Sequence, residues 1–198
     1  QQGCELRLGD TYLDNPTGDS VFRTPGMHPD NPALNGLRAS GAKVTSEMEV
    51  FFSLCPCTTI AVTGSDGKTT TTTLISEMLK AAGKTVWLGG NIGTPLIEAT
   101  ALPESAVAVA EISSFQLETL QSLRPHVAVI LNVGEDHLNR HYNMENYIFL
   151  KKKLLKNSTE TEFVVLNYDD EIVRAFSDST RAKVLYFSMR NKVNGAYV

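Results

Sequence analysis

The stretch TTIAVTGSDGKTTTTTLISEML, residues 58–79, decides the fold of this chain. It opens with an apolar, β-branched run at residues 60–62, which is typical of a buried strand. A turn follows, built from Gly64, Ser65, Asp66 and Gly67. Apolar residues then recur at helical spacing, namely Leu74, Ile75, Met78 and Leu79. The stretch therefore predicts a strand, a glycine turn and a helix.

The turn has the chemistry of a phosphate-binding loop. A helix N-terminus directs free amide groups and partial positive charge at one point, which favours an anion. Lys68 would neutralise phosphate oxygens and the Thr69 hydroxyl could ligate Mg²⁺. Only two residues separate the glycines, whereas the general P-loop pattern has four, so this is a short form; the alternative is a plain turn with an incidental lysine. The five threonines Thr69–Thr73 are poor helix formers, and a bound phosphate and metal would hold that first turn.

Length and composition limit the class of protein. The chain has 198 residues, 42% of them hydrophobic, and a net charge of -4. This charge provides no basic field for nucleic acid, and no apolar run has the length of a membrane span or a signal peptide. We therefore expect a soluble cytoplasmic protein that binds neither nucleic acid nor membrane. Cys55 and Cys57 resemble a C-x-C metal or redox element, but they lead into the apolar strand, so buried free thiols are favoured.

Regular alternation of strands and helices predicts an open α/β sheet, mostly parallel, with helices on both faces. Before residue 56 the pattern is shorter: a strand near Val21, a helix over 31–39, a strand over 43–45 and a helix from Ser46. After it we expect strands at 58–63, 85–88, 105–112, 126–132, 162–167 and 183–187, and helices at 68–81, 94–99, 115–121, 145–157 and 169–176. The last residues, 194–198, resemble the middle of a hairpin.

In such sheets ligands bind outside the carboxyl ends of the strands, so the residues there are the candidates for chemistry. A glycine-rich turn with Asn91 follows strand 85–88, and strand 105–112 carries Glu111 near its end. A carboxylate in an apolar strand is costly unless a cation or hydrogen-bond donors meet it. We therefore expect Glu111 to face a metal or a lysine, the alternative being a partly exposed glutamate at a strand end.

Histidines and lysines follow the later strands. His137 and His141 stand four apart, a spacing that suggests zinc, but no third ligand is evident and the oxygen donors Thr69 and Glu111 favour Mg²⁺. His137 is either a ligand or a capping or surface histidine. The run KKKLLK, starting at Lys151, is a solvated basic face from which one lysine could reach inward.

Several motifs together resemble the Mur ligases and the related folylpolyglutamate synthases. They are the short loop at 63–70, Gly90-Asn91-Ile92-Gly93-Thr94-Pro95, the block ISSFQLE after Glu111, residues 132–141 and Leu166-Asn167-Tyr168-Asp169-Asp170. The block is the most specific, and it points to the members that add D-glutamate to UDP-N-acetylmuramoyl-L-alanine. Asn139 departs from the aspartate usual in this family.

The resemblance implies a division of roles. ATP phosphates would be held by Gly64, Ser65, Asp66, Gly67, Lys68, Thr69 and Thr70. Two Mg²⁺ ions would be ligated by Thr69, Glu111, His137 and a carbamylated lysine, for which Lys151 is the candidate. Catalytic roles would fall to Lys68, His137 and Lys151. The muramoyl-peptide path would be lined by Thr24, Pro25, Gly26, Asn91, Ser113 and Gln116, together with His137.

The resemblance also implies a domain organisation. Residues 1–55 would be part of a Rossmann-like N-terminal domain for the UDP substrate, and 56–198 a truncated P-loop central domain that binds ATP. The C-terminal domain for D-glutamate would be absent, so this fragment alone would be inactive, and the full-length enzyme would be a monomer. The rival hypotheses are a folylpolyglutamate synthase, a P-loop nucleotide-binding module without ligase activity, and an inactive structural remnant.

Overall fold

The computed structural model describes residues 3–198, which divide into two compact units, one ending at Ser46 and the other beginning at Glu47. In the first unit, strands β1 (Ser20–Phe22) and β2 (Lys43–Thr45) pair in parallel on either side of helix α1 (Pro32–Ala39) in the chain. Asn31 caps α1 by accepting a hydrogen bond from the Ala33 amide at 2.9 Å. The predicted helix over 31–39 and strand over 43–45 are confirmed.

The second unit is built on a parallel sheet of seven strands in the order β4-β5-β3-β6-β7-β8-β9. Its strands are β3 (Thr58–Thr63), β4 (Val86–Gly90), β5 (Val107–Glu111), β6 (Val127–Ile130), β7 (Phe163–Asn167), β8 (Lys183–Ser188) and β9 (Gly195–Tyr197). Its helices are α2 (Glu47–Leu54), α3 (Lys68–Ala81), α4 (Ser114–Leu117), α5 (Leu138–His141), α6 (Met144–Lys152) and α7 (Glu171–Arg174). Single 3₁₀ segments cover Leu96–Ala101, Lys153–Leu155 and Ala175–Ser179. The predicted open parallel sheet is confirmed.

Alternation along the central strands separates the two faces of the sheet. Ala61 on β3 lies opposite Ala110 on β5, and both belong to the main apolar cluster with Phe51 of α2 and Tyr147 of α6. Val62, one residue on, is fully buried outside that cluster, so it faces the side covered by α3. Glu111 pairs with Val62 and therefore shares the α3 side.

Helix α3 is confirmed, but its buried side differs from the apolar pattern in the sequence. Leu74 and Met78 are 57% and 63% exposed, whereas Thr72 and Ser76 are fully buried. Small side chains on the inner side allow the helix backbone to approach the sheet closely, and the hydroxyl of Thr72 is satisfied by the carbonyl oxygens of Lys68 and Thr69, both at 3.0 Å.

Four expectations about local structure need correction. In place of the predicted helix at 94–99 there is a 3₁₀ segment, Leu96–Ala101. The predicted helices at 115–121 and 169–176 are shorter than expected, because each contains an α-helix of only four residues, and the second continues as a 3₁₀ segment. Residues 194–198 do not form a hairpin: β9 pairs with β8 in parallel, with Gly195 opposite Tyr186. A side chain at position 195 would collide with the Tyr186 carbonyl oxygen, so glycine permits this close approach.

The cysteines are free thiols, as expected for Cys55 and Cys57, but Cys55 is only half-buried. Cys57 is buried, and the two sulfur atoms lie 3.2 Å apart. Burial, together with the hydrogen bond to Cys57, raises the pKa of the Cys55 thiol to about 12. Among residues 3–198, every helix is too short or too polar to span a lipid bilayer.

Candidate active site

The loop between β3 and α3 is held on one side by hydrogen bonds to the segment after β6. The Asp66 amide donates to the Asn132 side-chain oxygen at 2.8 Å, and the Asn132 side-chain amide donates back to the Asp66 carbonyl at 3.1 Å. The Ser65 hydroxyl exchanges hydrogen bonds with the amide and carbonyl of Gly134. These bonds hold the back of the loop, so its other side can face a ligand.

Both loop glycines have a geometric reason. A side chain at Gly64 would press on the Leu131 side chain at 3.0 Å, and Gly67 adopts a left-handed conformation with φ of 77°. Gly67 is the N-cap of α3, and no side chain caps this helix within the described structure. The first amide groups of α3 thus have the arrangement that binds phosphate.

Lys68 folds back over the loop. Its ammonium group donates to the carbonyl oxygens of Gly64 at 2.9 Å and Ser65 at 2.7 Å. The side chain is only half-buried, so it can turn toward a phosphate without disturbing the core. This position directly beside the free helix terminus fits a lysine that neutralises phosphate charge.

Glu111 is a buried carboxylate whose two hydrogen-bond donors are neutral side chains. It is 1% exposed, and its two oxygens accept from the Thr69 hydroxyl at 2.8 Å and the Asn91 side-chain amide at 2.9 Å. No ion pair to Glu111 occurs in the described part of the chain, so the expected lysine partner is excluded. A buried carboxylate without a cation is costly. The oxygen atoms of Glu111 and Thr69 are ligands of the kind that Mg²⁺ prefers. These residues therefore fit the Mg²⁺ ion that the resemblance implies.

The glycine-rich turn after β4 brings Asn91 to this carboxylate. Gly90 has φ of 110°, and a side chain there would collide with the Glu111 carbonyl oxygen. The Asn91 amide donates to that same carbonyl at 2.9 Å. The turn therefore needs glycine so that β4 can end directly against Glu111.

Lys151 is a buried lysine that contacts the loop between β3 and α3. It projects from α6, is 1% exposed and donates to the Gly64 carbonyl at 2.7 Å, with the Tyr147 ring 4.8 Å from its nitrogen. Burial and, to a smaller extent, the charge of Lys68 lower the pKa of Lys151 to about 7. Of the three successive lysines, Lys151 is the one bonded to the loop, since Lys153 donates to the carbonyl oxygens of Leu117 and Glu118 and Lys152 is only half-buried.

His137 lies on the loop between β6 and α5, in a left-handed conformation with φ of 53°. Its ring centre lies 4.9 Å from that of Phe115, with the two rings tilted at 50°, and its Nε2 lies 3.3 Å from an Asp136 carboxylate oxygen. Half of the side chain is exposed. His141, in contrast, is buried and bonded to the Ser114 hydroxyl at 2.9 Å.

The two histidine rings pack against the same aromatic side chain. Phe115 contacts both rings, at 4.9 Å and 5.5 Å. Within residues 3–198, no three His, Cys, Asp or Glu side chains are grouped to hold a metal ion.

The predicted substrate residues have structural partners of their own. Ser113 and Gln116 form a capping box on α4: the Ser113 amide and hydroxyl donate to the Gln116 side-chain oxygen at 2.8 and 2.9 Å. Thr24, Pro25 and Gly26 lie after β1 in the first unit. Their contact with a substrate stays a prediction.

The structure therefore brings some predicted residues together and leaves others apart. Thr69, Asn91 and Glu111 are directly bonded, and Lys68 and Lys151 share the Gly64 carbonyl. No hydrogen bond or ion pair joins Glu111, His137 and Lys151 to one another in the described structure. Sequence reasoning did not identify two residues that contact the loop. Asn132 accepts a hydrogen bond from the Asp66 amide, and the Tyr147 hydroxyl lies 3.0 Å from that of Ser65.

Comparison with known proteins identifies the relatives of this chain. Residues 62–197 match the Mur ligase middle domain. The UDP-N-acetylmuramoylalanine–D-glutamate ligase of Ruminiclostridium cellulolyticum is 48% identical over 193 residues, which are 96% of this chain and 41% of that protein. The enzyme of that name from Acetivibrio thermocellus is 49% identical over the same shares. The chain thus spans about two fifths of the length of these curated relatives.

Solved structures share the fold at lower identity. The UDP-N-acetylmuramate:L-alanyl-gamma-D-glutamyl-meso-diaminopimelate ligase from Neisseria meningitides superposes with a TM-score of 0.63 and 19% identity, covering 85% of this chain and 58% of that one. MurF ligase from Thermotoga maritima, solved in complex with ADP, superposes with a TM-score of 0.60 and 21% identity over 87% and 47%. Because the middle-domain match extends over more than half of its residues, this chain belongs to the Mur ligase family.

Proposed function

We propose that this chain is the nucleotide-binding part of an ATP-dependent ligase that adds D-glutamate to UDP-N-acetylmuramoyl-L-alanine, a step in the synthesis of peptidoglycan precursors. The observation that carries the proposal is the buried Glu111 carboxylate, which accepts hydrogen bonds from Thr69 and Asn91, beside the start of α3, where no side chain of the described residues caps the helix. The names of these relatives support D-glutamate as the amino acid. They also favour this ligase over a folylpolyglutamate synthase.

The reaction would join a carboxylate and an amine at the expense of ATP. A carboxylate oxygen of the muramoyl-alanine attacks the γ-phosphorus, ADP leaves, and an acyl phosphate forms. The amine of D-glutamate then attacks the acyl carbon, phosphate leaves with the bonding electrons, and the nitrogen loses a proton. The product is an amide. Bound Mg²⁺ would offset the repulsion between these anions and stabilise charge on the transferred phosphoryl group.

The residues of the chain divide this work between them. The phosphates would be held by the loop and the first helical turn, through the free amides at the start of α3 and the ammonium group of Lys68; these residues are Gly64, Ser65, Asp66, Gly67, Lys68, Thr69 and Thr70. Thr69 and Glu111 would ligate one Mg²⁺. His137 and a carbamylated Lys151 would ligate the second. Asn91, Ser113 and Gln116, with Thr24, Pro25 and Gly26 of the first unit, would line the path of the muramoyl peptide.

The environment of Lys151 supports its carbamylation. A neutral amine reacts with CO₂ to give a carbamate and a proton, and a pKa of about 7 leaves a large neutral fraction at neutral pH. The modification would convert a buried cation into an anion able to ligate a metal. ¹³C NMR of the protein under ¹³CO₂ should show a carbamate signal that Lys151→Met removes and Lys152→Met retains.

The domain roles are part of the proposal. Residues 1–55 would belong to the domain for the UDP substrate and 56–198 to the domain for ATP, with D-glutamate bound by a further domain outside this sequence. In the complete protein we expect a monomer located in the cytoplasm. The 198-residue chain alone would not catalyse the reaction.

Phosphate release by the complete protein tests the function. We expect release only when ATP, Mg²⁺, UDP-N-acetylmuramoyl-L-alanine and D-glutamate are all present, with L-glutamate and folate substrates inactive. Lys68→Ala should lower kcat by at least about 10²-fold, since a transition-state charge partner is lost, whereas Lys84→Ala, on the exposed segment after α3, should not. Near-normal turnover of Lys68→Ala at saturating ATP would refute its role. Hydrolysis unaffected by the muramoyl substrate would instead indicate a simple nucleotide-binding module.

A further inference from the structure

We propose that Glu118, acting through Arg140, is a positioning residue that holds His137 in place for the proposed ligase reaction, on which this inference rests. Neither residue belongs to the sets assigned to phosphate, metal or substrate. Glu118 follows α4, and Arg140 lies in α5, three residues after His137. The pair therefore links the two segments that flank the candidate site.

The contact between the two side chains is bidentate and buried. Arg140 donates from Nε to Glu118 Oε1 and from Nη2 to Oε2, both at 2.8 Å, and the side chains are 13% and 8% exposed. The hydrogen bond to Glu118 raises the pKa of Arg140. His141 Nδ1 also lies 3.8 Å from Glu118 Oε1. Such a planar, two-bond pair fixes orientation as well as distance.

Contacts through the Phe115 ring connect this pair to the imidazole ring of His137. The Arg140 guanidinium lies 4.9 Å from the centre of the Phe115 ring, and the His137 ring lies 4.9 Å from the same ring. The backbone provides a second connection, because the Arg140 amide donates to the His137 carbonyl at 2.9 Å. Glu118 thus constrains both the ring and the main chain of His137.

The His137 segment needs such support, whereas the Glu118 segment has its own. A left-handed conformation is unfavourable for a residue with a side chain, and the four-residue helix α5 is too short to be stable alone. α4 is fixed at its start by the Ser113–Gln116 capping box and at its end by Lys153, which donates to the carbonyl oxygens of Leu117 and Glu118. The constraint therefore runs from Glu118 to His137.

The test compares Glu118→Gln with a matched control. Glu162→Gln removes a similar carboxylate, which accepts from Arg124 at 2.7 Å but lies before β7, at the amino ends of the strands. In the complete protein we measure kcat, the KM values, the His137 ring signals in NMR spectra assigned with His137→Gln, and hydrogen exchange at the amides of residues 140–142. The last two measurements require no metal, nucleotide or turnover.

For Glu118→Gln we expect kcat to fall about 10–100-fold, the range seen when a residue that orients a metal ligand is lost, with the KM for D-glutamate unchanged. The His137 signals should shift and exchange at 140–142 should accelerate. Glu162→Gln should lower stability without either change. Arg140→Lys, which keeps the charge but loses the two-bond geometry, should reproduce the loss of kcat. The variant with both substitutions should have a kcat no lower than that of the more impaired single variant.

Unchanged His137 signals and exchange in both Glu118→Gln and Arg140→Lys would overturn the proposal, as would equal changes in Glu162→Gln or additive losses in the double variant. If the wild-type protein made no product from D-glutamate, the proposed function would fail. The signals and exchange rates would still decide whether Glu118 positions His137.

Discussion

The ammonium nitrogen of Lys151 lies 2.7 Å from the carbonyl oxygen of Gly64, beneath the loop that starts the candidate site. Burial lowers the pKa of Lys151 to about 7, from an ordinary value of 10.5. Between these values the folded protein has released the proton while the unfolded chain still binds it. The free energy of unfolding must therefore rise with pH across this window.

A pH series of denaturation measurements tests this relationship. In CO₂-free buffer the stability of the wild-type chain should rise from pH 7.5 to 9.5 relative to that of Lys151→Met, by roughly 1 kcal/mol per pH unit. Lys84→Met, at an exposed position, should track the wild type. A constant difference between wild type and Lys151→Met would show that the lysine titrates normally.

Glu111→Gln should have opposite effects on stability and on metal binding. Without metal, the substitution removes a buried charge that no cation within residues 3–198 balances, so the metal-free protein should unfold at the same or a higher temperature. With Mg²⁺ and nucleotide, the thermal stabilisation of the wild type should be lost in the variant. Thermal unfolding with and without Mg²⁺ measures both. A less stable metal-free variant would mean that the carboxylate is a structural hydrogen-bond acceptor.

Gly90→Ala should disrupt the site far more than Gly83→Ala. Both glycines have a positive φ, 110° and 77°, but a side chain at 90 would collide with the Glu111 carbonyl oxygen, whereas nothing lies within 4 Å at 83. We expect a loss of about 1 kcal/mol for Gly83→Ala from backbone strain alone, and a clearly larger loss for Gly90→Ala. Equal losses in urea denaturation would exclude the steric explanation.

In helix α3 a polar residue is buried and an apolar residue is exposed, so substitutions there should have the opposite effects to those usually expected. Met78→Gln, at a site 63% exposed, should change the stability of the 198-residue chain by less than about 0.5 kcal/mol. Ser76→Leu, at a fully buried site, should cost about 1–3 kcal/mol through overpacking. Denaturation of both variants checks the orientation of the helix. The reverse order would place Met78 on the inner side.

Much of the fold follows from local pattern. The apolar runs predict β3, β5, β6, β7 and β8, because strands buried on both faces of a parallel sheet are continuously apolar. The helix ends were harder: residues 115–121 have the composition of a helix, yet only Ser114–Leu117 are α-helical. The side of α3 that faces the sheet was missed because hydrophobic spacing indicates a helix but not which neighbours cover it.

The sequence by itself determined the order of strand, glycine turn and helix, the position of Lys68 and Thr69 at the helix start, and the need for a partner at Glu111. These follow from spacing and from the cost of burying a charge, which act along a short piece of chain. Only the tertiary structure decided that Thr69 and Asn91 meet Glu111, that Lys151 rather than Lys153 reaches Gly64, and that Glu118 holds Arg140. These residues are far apart in sequence, and they meet because the parallel sheet brings the carboxyl ends of its strands to one edge.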